Sequence, residues 1–124
     1  MTLLEMSNLI RKWFEKADQV NGPLLPDGWA GGRPYDNTYW LKDVEISGDT
    51  ITVYLISGEA IKHLVFEGLE RVYLDDSELV FENFRIFSFR WKDRDENGKS
   101  VEQWWNYDYG QVRFVPPVGT TVVL

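Results

Sequence analysis

The chain has 124 residues, 44% of them hydrophobic and 15% aromatic, and 20 acidic against 13 basic side chains give a net charge of −7. Its length predicts a single domain over residues 1–124 that buries roughly two-thirds of the unfolded surface. An acidic surface repels phosphate backbones, which argues against a nucleic-acid partner. The absence of cysteine excludes thiol chemistry and fits a cytoplasmic protein. No apolar run is long enough to span a membrane.

The N-terminal segment predicts a helix over Leu3–Ala17. Thr2 and Glu5 have the spacing of a capping box, in which each side chain covers an orphan amide at the helix start. Apolar residues then recur at intervals of three and four, which indicates an amphipathic helix packed on a sheet. The run Asn21-Gly22-Pro23 lies past the end of this pattern and stops it.

After residue 37 the chain predicts seven antiparallel strands joined by short turns. The alternation of apolar and polar residues slips between Leu41 and Val44, which indicates a β-bulge. The fifth predicted strand, Glu78–Trp91, is long enough to bend near Asn83-Phe84. The turns leave no room for helical crossovers, so we expect an α+β fold with one strongly twisted meander sheet, a half-barrel being the alternative. We also expect Thr120–Leu124 to form a short strand at the edge of this sheet. The seven strands are Thr38–Ser47, Thr50–Ser57, Ala60–Phe66, Leu69–Leu74, Glu78–Trp91, Ser100–Tyr107 and Tyr109–Val115.

Between the helix and the strands lies the loop Leu24–Asn37, reading LLPDGWAGGRPYDN, which shows neither helical nor strand periodicity. Its large rings are expected to be buried, and its arginine to pair with one of its aspartates. One interpretation is a structural crossover that caps the core. The other is a polar binding site. The candidate binding residues of this loop are Asp27, Trp29, Arg33, Tyr35 and Asp36.

Residues 25–29 and 32–37 resemble the signature LPDGW-x-GRPYDN of a family of small uncharacterised bacterial proteins, found mainly in Firmicutes. The stretch Ala30-Gly31-Gly32 departs from that signature by one additional residue. The resemblance extends over most of the chain as a helix, this loop and then strands. It implies a compact bacterial domain and carries no function with it.

Asp75, Asp76, Glu78 and Glu82 form an acidic patch, which Asp93, Asp95 and Glu96 would extend, and we interpret it as a second candidate binding surface. Its candidate binding residues are Asp75, Asp76 and Glu78. Charged residues at a turn are commonly exposed to solvent without any role in binding. As a functional surface, the patch would attract a basic protein and speed its encounter with the chain.

Three further features are weaker. The tip Asp93–Gly98 begins like a calcium-binding loop, but Trp104 stands where a bidentate glutamate is needed, so a hairpin turn is favoured and we expect no metal and no cofactor. The adjacent Trp104 and Trp105 must point to opposite faces of a strand, so one of them is exposed if one sheet face is bare.

His63 is the only histidine, and one histidine does not build a zinc site. Catalysis would require a carboxylate partner such as Asp43 or Glu45 from a neighbouring strand, and an ordinary strand position is favoured instead.

The chain contains no catalytic motif. We therefore expect a non-enzymatic protein-binding module, for example an immunity-type protein that neutralises a basic toxin. The alternative is a small-molecule or carbohydrate pocket under the Leu24–Asn37 loop, with hydrolysis by a carboxylate pair left open.

Overall fold

The computed structural model describes residues 1–26, 28–29, 38–58, 60–94, 96–107 and 110–124, with side chains for all of these except residues 29, 93, 94, 103–105 and 107. Within these ranges the chain forms one helix and eleven strands, which confirms the α+β class. The elements are α1 Leu3–Ala17, β1 Gln19–Val20, β2 Leu24–Leu25, β3 Gly28–Trp29, β4 Tyr39–Ser47, β5 Thr50–Ser57, β6 Ala60–Glu67, β7 Arg71–Asp75, β8 Glu78–Glu82, β9 Ile86–Arg94, β10 Ser100–Tyr107 and β11 Gln111–Phe114.

The helix begins and ends where the sequence predicts. The Thr2 hydroxyl accepts the amide of Glu5 at 3.1 Å, and the Glu5 carboxylate accepts the amide of Thr2 at 2.9 Å, so the capping box is complete. At the other end the amide of Asp18 donates to the carbonyl of Phe14 at 2.8 Å. The backbone of Asp18 has a φ of 68°, which turns the chain out of the helix.

The strands form two antiparallel sheets, so the prediction of one sheet is wrong. Sheet A has the order β1-β4-β5-β6-β9-β10 and sheet B the order β3-β2-β11-β8-β7. Both orders are linear in the described residues, and neither sheet closes on itself. The predicted strand Glu78–Trp91 is divided between the sheets: β8 lies in sheet B and β9 in sheet A.

The chain changes sheet five times among its described strands, and two of these changes lie at adjacent corners. It leaves sheet A at Gly68, with a φ of 68°, and returns to it after Asn83, with a φ of 58°. The amide of Arg85 donates to the carbonyl of Glu67 at 2.8 Å, and the amide of Glu70 donates to the carbonyl of Asn83 at 3.1 Å. These bonds tie the two crossings together, so both sheets share one corner.

Aromatic rings fill the space between the sheets. Phe66 on β6 stacks on Phe81 on β8, with ring centroids 4.4 Å apart and planes within 7° of parallel. Phe81 in turn meets Phe114 of β11 edge-on at 5.2 Å. All three rings are fully buried, and each such side chain contributes roughly 1.5–3 kcal/mol to folding. The two sheets therefore pack face to face around a shared core.

The helix closes one side of this core and contacts both sheets. Trp13 is fully buried, and its indole Nε1 donates to the carbonyl of Ser77, in the turn between β7 and β8, at 2.9 Å. On the other side Arg11 donates from Nη2 to the carbonyl of Val44 at 2.7 Å and to the Asp43 carboxylate at 2.8 Å. Because β1 pairs only with the start of β4, Arg11 covers part of the remaining open edge of that strand.

Three local predictions have different outcomes. The bulge is confirmed, since the pairing of β4 with β5 shifts between Leu41 and Asp43. The loop prediction is incomplete, because Leu24–Leu25 and Gly28–Trp29 pair as a short hairpin around Pro26. The edge strand at Thr120–Leu124 is wrong: this tail forms no strand, and the amide of Val122 instead donates to the Ser77 hydroxyl at 3.0 Å. Two prolines and a turn at Gly119 redirect the chain ahead of it.

Candidate functional site

Most of the predicted loop site lies outside the described residues. Asp27, Arg33, Tyr35 and Asp36 are among the omitted residues, and Trp29 is described only in its backbone. The pocket proposed beneath the Leu24–Asn37 loop and the salt bridge expected within it therefore stay predictions.

The three candidate binding residues of the predicted acidic patch lie at the turn between β7 and β8, and two of their three carboxylates have an internal partner. Arg113 donates from Nη1 to Asp75 at 2.9 Å and to Glu78 at 3.2 Å. Asp76 is exposed at the tip of the turn, where its φ is 60°. Ser77 in the same turn accepts two more hydrogen bonds. Its carbonyl accepts the Trp13 indole N–H, and its hydroxyl accepts the Val122 amide. This patch therefore has a clear role in holding the helix, sheet B and the C-terminal tail together.

A concave site lies elsewhere, on sheet A, where β6, β9 and β10 run side by side. It has a cavity volume of about 330 Å³, which is within the range of small-molecule sites. We call it the basic cleft. Its lining residues are Ala60, Ile61, His63, Arg90, Trp91, Lys92 and Glu102.

Strand alternation places the polar residues of the cleft on the face of sheet A that points away from sheet B. Leu64 pairs with Phe89, and both side chains are buried in the shared core. The neighbouring pair, His63 and Arg90, must then point to the opposite face. Glu102 pairs with Lys92 across the next strand boundary, two residues from Arg90 and on the same face. The core thus determines which side chains converge in the cleft.

His63 occupies the centre of this face. Its ring meets the ring of Tyr54 on β5 edge-on, with centroids 4.7 Å apart and planes at 71°. Partial burial lowers the pKa of His63 below 6.5, the nearby Glu102 opposes this, and the positive charges of Arg90, Lys42 and Lys92 add to the lowering. At neutral pH the imidazole is therefore uncharged, among three cationic neighbours.

The hydroxyl of Tyr54 donates to Oε2 of Glu45 at 2.5 Å, and this bond raises the pKa of Tyr54 to about 12. The carboxylate partners considered for His63 are not beside it. Strand β5 separates β4 from β6, so Asp43 and Glu45 lie two strand spacings away, roughly 10 Å. Asp43 is also bound by Arg11, which holds the pKa of that carboxyl below its usual value.

Trp91 borders the cavity, but it alternates with Arg90 and Lys92 along β9, so its ring is on the core face with Phe89. Its ring lies 5.5 Å from that of Phe89, and the ammonium of Lys62 sits 5.4 Å from the Trp91 ring centroid. These contacts fix the position of the ring. Trp104 pairs with Arg90 and Trp105 with Phe89 in the strand register, but both side chains lie outside the described set, so the exposed one of the two is not assigned.

The hairpin expected at Asp93–Gly98 is present, since β9 ends at Arg94 and β10 begins at Ser100. Asp95 and the side chain of Asp93 are not described, and the calcium question is not tested there. No group of three or more histidine or acidic side chains in the described ranges is arranged to hold a metal ion. Nor is any described helix long and apolar enough to cross a membrane.

Sequence reasoning considered His63 but missed its surroundings. The unexpected participants are Tyr54, Arg90, Lys92 and Glu102. A signal is present, because Arg90 and Lys92 alternate with the apolar Phe89 and Trp91 and so mark an outward face. That signal does not reveal the pairing of β6 with β9, because β7 and β8, which belong to sheet B, lie between these two strands in the sequence.

Comparison with known proteins gives no guide to the function of the cleft. No protein-family model, no curated protein and no solved structure matches this chain. The function must be inferred from the chemistry of the cleft itself.

Proposed function

We propose that this chain is a non-enzymatic binding module whose ligand site is the basic cleft on sheet A. The observation that supports this is a cavity that His63 and Ile61 line together with two basic side chains, Arg90 and Lys92, which pair with no carboxylate among the described residues. Concave sites with an apolar wall and a few convergent polar groups are the usual form of ligand pockets.

The contacts of His63 support binding over catalysis. A general base needs a hydrogen-bonded partner to orient it or a nucleophile within reach. In the described residues the neighbour of His63 is the ring of Tyr54, packed edge-on, and the Tyr54 hydroxyl is already bound to Glu45. A hydroxyl with a pKa of about 12 transfers its proton poorly at neutral pH. The imidazole is thus placed to shape a site and to donate a hydrogen bond.

Blocking the cleft tests this proposal. Ile61 lines the cavity on the same face of β6 as His63, so Ile61→Trp would fill it, while Thr121→Trp adds the same ring to an exposed position in the C-terminal tail. We expect small aromatic acids and amides, screened by ligand-observed NMR, to bind the wild type and the Thr121 variant and to lose binding in the Ile61 variant. Equal binding to all three proteins would place the ligand site elsewhere. Consumption of a probe during long incubation would contradict the non-enzymatic assignment.

A second candidate function is docking of a basic protein in the cytoplasm, as an immunity-type module does. It is favoured by the net charge of −7 and by the exposed Asp76. In this function nucleic acid and membrane are not partners. Association would slow steeply with salt, because the Debye length falls from about 10 Å at 0.1 M to about 3 Å at 1 M. Asp76→Lys would slow it further, whereas Ile61→Trp would leave it unchanged.

A further inference from the structure

Arg90 stands apart from the other arginines of the described chain. Side chains are described for five arginines, and four of them, at positions 11, 71, 85 and 113, form ion pairs with carboxylates at 2.8 to 3.2 Å. Arg90 has no carboxylate within ion-pair distance among the described residues, and neither has Lys92. In a chain with 20 acidic and 13 basic side chains, acidic partners are in excess. Among the arginines with described side chains, Arg90 alone has no described carboxylate partner, and it lies in the cleft beside Lys92.

We propose that the basic cleft selects an anionic ligand, a carboxylate or phosphate carried on a small apolar body, with Arg90 and Lys92 binding the charged group. This inference rests on the proposed function, namely that the cleft is a ligand site. A guanidinium presents a planar fork of donors that matches the oxygens of a carboxylate or phosphate. The apolar remainder of the ligand would lie against Ile61, which lines the same cavity on the same face of β6 as His63.

The other charged groups of the cleft make binding depend on pH. The groups that face His63 are Tyr54 from β5, Lys42 from β4, Arg90 and Lys92 from β9 and Glu102 from β10. Their net effect, together with burial, keeps the imidazole neutral near pH 7. A bound anion would favour its protonated form, so anion affinity should rise as pH falls. The Glu102 carboxylate opposes binding of the anion.

Three probes of similar shape test the charge requirement by calorimetry: phenyl phosphate, benzoate and neutral benzamide. We expect at least one of the two anions to bind roughly tenfold or more tightly than benzamide, as a charge-assisted hydrogen bond provides. A phosphate-ester ligand predicts that phenyl phosphate is the tighter anion, and a carboxylate ligand predicts benzoate.

Matched variants separate a local effect from net charge. Arg90→Gln should weaken anion binding about tenfold. Arg71→Gln removes the same charge from β7 in sheet B and should leave binding within about twofold. Glu102→Gln should strengthen binding, whereas Glu70→Gln, which makes the same charge change outside the cleft, should not. A folded Glu102 variant keeps the test valid if Arg90→Gln proves unstable.

The pH arm uses benzoate, because it stays ionised from about pH 5.5 to about pH 7.5 while the imidazole titrates. Benzoate affinity should rise on acidification in the wild type and rise much less in His63→Gln. The inference is overturned if benzamide binds as tightly as both anions, or if Arg90→Gln weakens binding no more than Arg71→Gln. Either result contradicts the selectivity for anions but not the proposal that the cleft is a ligand site. A failure of all three probes to bind would instead overturn the proposed function as well.

Discussion

Replacing Trp13 by phenylalanine tests how the helix joins the two sheets. The Trp13 side chain is fully buried, and its indole donates to the carbonyl of Ser77 at 2.9 Å. It also packs edge-on against Phe14 at 5.0 Å and stacks over Phe114 at 6.2 Å. Phenylalanine keeps one ring and removes both the donor and the outer part of the indole.

The expected loss of unfolding free energy follows from these two deletions. A buried carbonyl left without its donor costs about 1–3 kcal/mol, and the partial burial of this one favours the lower end. The space left by the missing ring atoms and the weakened ring contacts add about 1–2 kcal/mol. The total is about 2–3 kcal/mol, or a fall in Tm on the order of 10 °C.

Urea denaturation of both Trp13→Phe and Trp40→Phe measures this loss against a matched control. Trp40 is 41% exposed on sheet A, so its replacement should change the unfolding free energy by less than about 0.5 kcal/mol. Hydrogen exchange at the amides of Asp75–Glu78 should accelerate in the Trp13 variant alone, since the indole holds that turn. Nearly equal losses in the two variants, or unchanged exchange at the turn, would refute the anchoring role of Trp13.

Three further predictions concern charged and titrating side chains. Arg113→Leu leaves two carboxylates facing each other across strands and should cost about 1–2 kcal/mol in urea denaturation; Arg85→Leu breaks an ion pair whose side chains are 62% and 60% exposed and should cost less than about 0.5 kcal/mol. Because the pKa of His63 is lower in the folded than in the unfolded chain, the unfolded chain binds the proton first, and stability should fall as pH drops through 6.5; denaturation curves across this pH range should show a smaller fall in His63→Gln, and an equal fall would contradict this sign. Glu45→Gln should return the pKa of Tyr54 from about 12 towards 10.0, measured by ¹³C NMR of labelled tyrosine, and an unchanged pKa would exclude the Glu45 bond as its cause.

Local signals in the sequence predicted local structure well. The capping box, the helix end and the bulge after Leu41 each depend on residues within a few positions of one another, and all three are confirmed. The division into two sheets depends instead on which strands pair after a corner. Both corners look like ordinary turns in sequence, because Gly68 and Asn83 are also the residues that a simple hairpin would use.

The same reasoning explains why the cleft was not found from sequence. Its residues come from β6, β9 and β10, and the first two become neighbours only because β7 and β8 leave for sheet B. The acidic patch was easy to find because its residues lie close together in the sequence, yet the partner of Asp75 and Glu78 is Arg113, 38 and 35 positions away. A run of like charge in the sequence therefore says little about which charges remain free after folding.

The position of the basic side chains that have no described carboxylate partner connects this fold to the proposed binding function. Inward positions of β6 and β9 are filled by Leu64, Phe66, Phe87 and Phe89, which pack between the sheets. The outward positions of the same strands are not needed for that packing, so basic side chains there weaken no core contact. A net charge of −7 repels anions at long range, but that repulsion is screened beyond about 8 Å at physiological salt. Within that distance an anion in the cleft interacts chiefly with Arg90 and its neighbours, so an acidic protein can present a site that attracts anions.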